Sequence, residues 1–137
     1  MIRQPDQLLQ RIKKLHAHIR DTVVATFEQS NIELLAQVTA EEDSGDTIYA
    51  VDRVSEEALQ DFFAREIAPQ WSLMLIAEGL PGGYRCLPPG KKPEEVEIRV
   101  LVDPIDGTRG LMYQKRSAWV LTGIAPNRGA ETSLRDI

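Results

Sequence analysis

Apolar side chains recur every three or four residues from residue 6 to about residue 29, on a single stripe of a helix surface. Pro5 and Asp6 provide a start signal immediately before the pattern. The stripe consists of Leu8, Leu9, Ile12, Leu15, Ile19, Val23 and Phe27. The spacing predicts a long amphipathic helix, which constrains the fold because such a helix must pack on another layer. His16 and His18 lie two positions apart and share no helix face, so they are predicted to be solvated surface residues.

The rest of the chain contains two more helical regions and several strand-like segments. A second helical piece is predicted over residues 32–43, and a third helix is expected to be capped by Ser55, to carry Glu56 and Glu57 in its first turn and to end before Pro69. Strands are predicted over residues 47–54, 71–78, 96–103 and 117–125, and an exposed proline-rich loop over residues 86–95. Helices followed by strands favour an α+β fold, with helices on one face of a largely antiparallel sheet, in a single domain of residues 1–137.

Composition excludes several classes of function. The formal net charge of −5 argues against general nucleic-acid binding, which requires a basic surface. No run approaches the roughly 20 apolar residues of a membrane span, and the first residues lack the apolar core of a signal peptide. Cys86 is the single cysteine, so no internal disulfide is available, and we expect a buried thiol in a reducing environment. The chain is therefore predicted to be soluble and cytoplasmic.

Acidic residues follow two of the predicted apolar strands. One strand finishes on Glu78 and another on Asp103, and Asp106 comes three residues later in the stretch Asp-Pro-Ile-Asp-Gly-Thr-Arg-Gly. Pro104 fixes its own φ and restricts Asp103 to extended backbone, which can hold both aspartates toward one point. Two carboxylates about 4 Å apart repel by about 4 kcal/mol at an effective dielectric of about 20, and a divalent cation would remove that cost. The alternative is a tight turn that happens to be acidic.

Oxygen ligands of this kind select a hard ion such as Mg²⁺, and the backbone carbonyl of Ile105 can join the carboxylates. Gly107 then permits close backbone approach, and Thr108 adds a hydroxyl at a predicted helix start, which together suit a phosphate group. The combination indicates metal-assisted phosphoryl hydrolysis. The spacing does not fit a calcium EF-hand loop, and it argues against the Asp-x-Asp signature of phosphoaspartate enzymes.

These residues resemble the inositol monophosphatase family of Mg²⁺-dependent, Li⁺-sensitive phosphatases. The signature is Asp-Pro-Ile-Asp-Gly-Thr, supported upstream by Ile-Ala-Glu-Gly and by the segment Thr-Ile-Tyr-Ala-Val-Asp-Arg-Val-Ser-Glu-Glu-Ala-Leu. The resemblance covers about residues 6–125 and implies the amino-terminal, metal-binding half of a family member, without a counterpart to the carboxy-terminal half. Neither Trp71 nor Trp119 is followed by the aspartate of that half's Trp-Asp motif.

The resemblance implies a role for each matching residue. Glu78, Asp103, the Ile105 carbonyl and Asp106 would bind two or more Mg²⁺ ions, for which Mn²⁺ can substitute. Asp52 falls at the family's earlier aspartate, which helps to hold a more weakly bound ion or its water. Gly107 and Thr108 would contact the substrate phosphate, and Thr108 would also orient the attacking water. The implied substrate is a phosphomonoester of a small polyol or sugar.

Two departures from the family pattern are visible. Gly79 stands where many members have a second glutamate, so a carboxylate that could assist the water is missing, and Arg109-Gly110 replaces a frequent Thr-Asn pair. The alternative function is a non-catalytic family member that binds metal or forms a homo-oligomer through an uncovered apolar sheet face or edge.

Overall fold

A computed structural model of the chain describes residues 1–29, 38–41, 47–112 and 115–137, with backbone only for residues 29, 38–41, 47–50 and 112. Its helices are α1 (Pro5–Gln29), α2 (Ala50–Phe62) and the short α3 (Thr108–Met112). Its strands are β1 (Val38–Glu41), β2 (Thr47–Tyr49), β3 (Leu73–Ile76), β4 (Tyr84–Leu87), β5 (Ile98–Asp106) and β6 (Trp119–Pro126). A π-helical turn, Phe63–Ile67, extends α2, and short 3₁₀ turns occupy Pro81–Gly83, Gly129–Glu131 and Leu134–Asp136.

Helix α1 confirms the stripe predicted at the amino terminus. Pro5 is its first residue, and the next turn closes with hydrogen bonds from the N–H groups of Gln7 and Leu8 to the Gln4 carbonyl. One face of the helix is buried, through Leu8, Ile12, Leu15, Ile19 and Val23. Leu9, in contrast, is 50% exposed, so the buried stripe is narrower than the sequence suggested.

His16 contradicts the prediction that both histidines are solvated. It is half-buried, and its Nε2 lies 2.8 Å from Thr122 Oγ1, which joins α1 to β6. Burial lowers the pKa of His16, because the charged imidazolium loses hydration there. His18 is exposed, as predicted.

Helix α2 begins five residues earlier than predicted. Residues 50–54 were expected to continue a strand, but they are helical, and Ser55 is an interior residue instead of a cap. The reason lies in burial at every fourth position, which extends the apolar stripe back to the start of the helix and overrides the β propensity of the segment. The buried positions are Val51, Ser55, Leu59, Phe63 and Ile67. Ser55 Oγ donates to the Asp52 carbonyl at 2.7 Å, so this buried hydroxyl is satisfied inside the helix.

The prediction of a helix over residues 32–43 is wrong for residues 38–41, which the structure describes. Residues 38–41 form β1, which pairs antiparallel with β2. The remainder of that predicted helix lies outside the described residues.

The main sheet has four strands in the order β4-β3-β5-β6. Strand β3 pairs antiparallel with β4, and β6 pairs antiparallel with β5, whereas the central pair β3 and β5 is parallel. The register of the parallel pair sets Leu73 beside Ile98 and Ile76 beside Leu101. The prediction of an α+β fold with a largely antiparallel sheet is confirmed, and the parallel centre places the ends of β3 and β5 at one edge.

Helices α1 and α2 pack against each other and cover one face of this sheet. Strand residues on the covered face are buried, among them Leu73, Leu75, Ile98, Val100 and Val102. On the opposite face, Leu101 is 40% exposed, Leu121 50% and Trp119 66%. The domain thus has two layers, with the core between helices and sheet.

The remaining predictions concern Cys86 and membrane association. Cys86 lies in β4 and is half-buried, so the expected fully buried thiol is not found. Its pKa is raised, mainly by burial and also by the nearby Glu94 carboxylate, which does not favour a reactive thiolate. In the part of the chain that the structure describes, no helix has the length and apolar character needed to cross a membrane.

Candidate active site

The end of β5 carries the acidic signature on an irregular piece of strand. Pairing with β6 is regular as far as Asp103 and Leu121 and resumes at Asp106 and Trp119, with a register shift between them. Asp103 Oδ1 accepts a hydrogen bond from the Ile105 N–H at 3.1 Å, which holds the carboxylate over the irregular backbone. Such irregularities re-aim side chains at strand ends. Here the irregularity, with Pro104 at its centre, leaves Asp106 near enough to act electrostatically on Asp103.

The charge of Asp103 is disfavoured by its surroundings. Burial raises the pKa of Asp103, the Asp106 carboxylate raises it further, and the hydrogen bond from the Ile105 N–H opposes both. The protein therefore holds Asp103 where its charged form is disfavoured. Holding a carboxylate where its charge is disfavoured costs folding energy, and a bound cation would relieve that cost.

Gly107 turns the chain from β5 into α3. Its φ is +96°, in the left-handed region that favours glycine. The helix then begins at Thr108, as the sequence predicted, and the Leu111 N–H donates to the Gly107 carbonyl at 3.1 Å. Arg109 lies exposed on this short helix.

Thr108 connects the signature to helix α2. Its Oγ1 donates to Asp52 Oδ1 at 2.8 Å and lies 3.2 Å from the Ile105 carbonyl oxygen. Asp52 is in the first turn of α2, and the Ser55 hydroxyl bonds to its carbonyl one turn later. The structure thus brings together two residues, Asp52 and Thr108, that are far apart in sequence.

Glu78 comes from the neighbouring parallel strand. It stands two residues beyond Ile76, just as Asp103 stands two residues beyond Leu101, and Ile76 and Leu101 are paired. Glu78 and Asp103 therefore follow the last paired residues of adjacent strands by the same number of positions. The Glu78 side chain is exposed and has a polar or electrostatic interaction of its own. Within residues 1–29, 38–41, 47–112 and 115–137, no three acidic, histidine or cysteine side chains are gathered closely enough to hold a metal ion.

Glu56 is a residue at this edge to which the sequence analysis gave only a helix-dipole role. A Cβ atom placed on Gly79 would lie 2.6 Å from Glu56 Oε2 and 2.7 Å from Glu56 Cδ. The Glu56 carboxylate therefore occupies the space of a residue-79 side chain. One signal could have identified it: Glu56 follows Asp52 by four residues, the spacing that places two side chains on one helix face.

The fold is shared with solved phosphatases. The chain matches Leishmania major fructose-1,6-bisphosphatase with a TM-score of 0.64 and 16% identity, over 94% of this chain and 37% of that one. It matches the extragenic suppressor protein SuhB of Bartonella henselae with a TM-score of 0.61 and 16% identity, over 86% of this chain and 40% of that one. A third match is an IMPase/NADP phosphatase solved with NADP and Ca²⁺, at a TM-score of 0.52 and 22% identity, over 87% of this chain and 38% of that one.

The chain spans 37% to 40% of the length of these proteins. No protein-family model matches the sequence, and no curated protein does. The likeness is therefore one of fold. This chain has the α+β layered fold of the amino-terminal part of inositol monophosphatase-type phosphatases, the family that its acidic signature resembles.

Proposed function

We propose that this chain supplies the metal- and phosphate-binding part of a Mg²⁺-dependent phosphomonoesterase, with a small polyol or sugar phosphate as substrate. The observation that carries the proposal is the hydrogen bond from Thr108 Oγ1 to Asp52 Oδ1, at 2.8 Å, beside the Asp103 and Asp106 pair. It joins a carboxylate and a hydroxyl that would orient the attacking water, next to two carboxylates that would bind the metal.

The donors at this edge fit a hard divalent cation. Asp103, Asp106, Glu78 and the Ile105 carbonyl offer only oxygen, which is the ligand type that Mg²⁺ prefers. The raised pKa of Asp103, caused by burial and by Asp106, is consistent with a place that a cation would stabilise. Mg²⁺ held by these residues would lower the pKa of a bound water and neutralise charge on the phosphate.

Thr108 and Asp52 would orient the attacking water. Because the Thr108 hydroxyl donates its hydrogen bond to Asp52, the lone pairs of Oγ1 remain able to accept a hydrogen bond from water. Asp52 fixes the direction of the hydroxyl and can take the proton that moves through it. The Gly107 and Thr108 backbone, at the start of α3, would contact the phosphate oxygens.

Phosphate release from a panel of inositol and sugar phosphates, with Mg²⁺, tests the proposed enzyme activity. We expect Asp103→Asn or Asp106→Asn to reduce turnover by at least about 100-fold, because each removes an anionic ligand. Thr108→Val should reduce it by about 100-fold, whereas Thr108→Ser, which keeps the hydroxyl, should retain most of it.

Asp61→Asn is the matched control, because Asp61 lies on the exposed side of α2 and pairs with Arg65 at 3.3 Å. Like the Asp103 and Asp106 variants, it replaces an aspartate by asparagine, but it does so away from the site, so turnover should be unchanged. Calorimetric titration with Mg²⁺ and Mn²⁺ measures binding separately from turnover. A wild-type chain that gives no heat at millimolar metal would contradict the ligand assignment.

The exposed apolar side chains of β5 and β6 favour a second candidate function, a non-catalytic module that forms homo-oligomers. Leu101, Leu121 and Trp119 lie on the sheet face that the helices leave uncovered. Ile137 packs against Gly123 on this face and covers part of it. Sedimentation would decide: a strict monomer at high concentration would contradict self-association, and Leu121→Lys should dissociate an oligomer.

A further inference from the structure

The contact between Glu56 and Gly79 lies directly beside a proposed metal ligand. Gly79 follows Glu78, and its φ is +84°. The Glu56 carboxylate is so close that a Cβ on Gly79 would meet its Oε2 at 2.6 Å, far inside van der Waals contact. Gly79 thus lacks a side chain for two reasons, its backbone conformation and the presence of Glu56.

Helix α2 contacts the carboxyl end of each strand of the parallel pair, β3 and β5, through two carboxylates. Asp52 bonds to Thr108 after β5, and Glu56, one helical turn later, lies against Gly79 after β3. Since a helix is a stiff body with a fixed distance between successive turns, these two contacts set the position of one strand exit relative to the other. The backbone that carries Glu78 is therefore held against the same helix that holds the Thr108 hydroxyl.

We propose that Glu56 is a positioning residue, which places Glu78 for metal binding by packing its carboxylate group against Gly79. The inference rests on the proposed function, because it assumes that Glu78 is a metal ligand. The contact with Gly79 is steric: the planar carboxylate group fills the space that a Cβ on Gly79 would take, and so fixes the turn. Outer-shell residues that orient metal ligands typically contribute about 10- to 100-fold to metal affinity.

Mn²⁺ titration of the purified chain, with unfolding in urea measured in parallel, tests the inference. Glu56→Gln keeps the planar shape and should keep the Mn²⁺ affinity within about threefold of wild type. Glu56→Ala removes the group and should lower the affinity by about tenfold or more. If Glu56→Gln lowered the affinity as much as Glu56→Ala, Glu56 would be a ligand itself and the positioning role would be wrong.

Gly79→Ala should also lower Mn²⁺ affinity by about tenfold or more, since the new methyl group displaces Glu56. Gly82→Ala is the matched control, because Gly82 has a φ of +72° but no atom within 4 Å of the place that a Cβ would take. It carries the same kind of backbone strain without the contact and should leave the affinity unchanged. The double variant Glu56→Ala/Gly79→Ala should lose less Mn²⁺ affinity than the product of the two single fold-losses, because the two residues are in contact.

The outcomes separate this inference from the proposed function. A wild-type chain that binds no Mn²⁺ would overturn both. Normal wild-type binding with unchanged affinity in Glu56→Ala, or with single effects that simply multiply, would overturn only the role of Glu56. A loss of stability in Glu56→Ala without a loss of affinity in the folded protein would show a purely structural residue, and would also overturn it.

Discussion

The two ends of the parallel pair β3 and β5 are built differently. At the amino ends, hydrogen bonds join distant parts of the chain. The residues that make them, here called the amino-end network, are Arg3, Trp71, Ser72, Glu97 and Asn127. At the carboxyl ends, the carboxyl-end site consists of Asp52, Glu78, Asp103, Asp106 and Thr108, where Thr108 bonds to Asp52 and the Asp106 carboxylate raises the pKa of Asp103. One end is organised for stability, and the other holds Asp103 where its charge is disfavoured.

Trp71 shows how the amino-end network stabilises the domain. Its side chain is fully buried, its Nε1 donates to the Arg3 carbonyl at 2.9 Å, and the Arg11 guanidinium lies 5.6 Å from its ring centre. Asn127 adds two hydrogen bonds of 2.8 Å, to the carbonyls of Pro93 and Val96. The comparison teaches that stability and the proposed chemistry are separated along the strands, so substitutions at the two ends should have different consequences.

The largest expected effect on stability is that of Trp71→Ala. Removing this buried ring should lower the free energy of unfolding by about 3–5 kcal/mol, through lost burial and a cavity. Trp71→Phe, which keeps an aromatic ring but loses the bond to the Arg3 carbonyl, should lower it less. Urea unfolding measures both, and a smaller loss for Trp71→Ala than for substitutions in the carboxyl-end site would break the comparison.

Asn127→Ala should have an intermediate effect. It leaves the carbonyls of Pro93 and Val96 without their side-chain donor, so we expect a loss of about 1–3 kcal/mol in the free energy of unfolding. The same urea titration applies. A change within about 0.5 kcal/mol, as is usual for surface substitutions, would mean that this side chain does not stabilise the amino-end network.

Asp103→Asn should leave the stability unchanged or raise it, while it abolishes Mg²⁺ binding. The amide keeps the Oδ1 acceptor for the Ile105 N–H but removes the charge that burial and Asp106 disfavour. Opposite effects on stability and binding are expected where a site is strained for function. Unfolding and calorimetry on the same sample check both effects, and a loss of stability as large as that of Asn127→Ala would contradict the prediction.

The smallest expected effects are opposite responses of the two ends to acid. Hydrogen bonding to Arg3 lowers the pKa of Glu97 below 4.5, so the stability that this pair adds is present above pH 4.5 and is lost as the pH falls through the lowered value. The pKa of Asp103 lies above 3.8, so its unfavourable charge is relieved as the pH falls through the raised value toward 3.8. Acid should therefore destabilise the amino-end network and remove an unfavourable charge from the carboxyl-end site.

Melting temperatures between about pH 7 and about pH 3 measure this difference. On acidification, the melting temperature should fall less in Arg3→Gln than in wild type, because this variant lacks the ion pair with Glu97. It should fall more in Asp103→Asn, because this variant has no Asp103 charge for acid to remove. Parallel curves for all three proteins would show that neither group contributes.

Much of the fold could be predicted because its signals are local. The three-and-four spacing of α1 follows from helix geometry, and the apolar strands around the signature are short, continuous and bounded by turn residues. The start of α2 was missed because residues 47–54 have β propensity, and only burial of Val51 against the core makes residues 50–54 helical. His16 was misjudged for a similar reason, since its partner Thr122 lies on β6.

The sequence by itself determined the acidic signature, its proline and its glycine-threonine exit, because adjacent residues fix one another's backbone. It also indicated a parallel in chemistry between Glu78 and Asp103, each at the end of an apolar strand. Only the tertiary structure decided that β3 and β5 lie side by side in register, that Asp52 reaches Thr108, and that Glu56 fills the space beside Gly79. Those contacts depend on how the helix layer sits on the sheet, which is set by burial of the whole core and by no single segment.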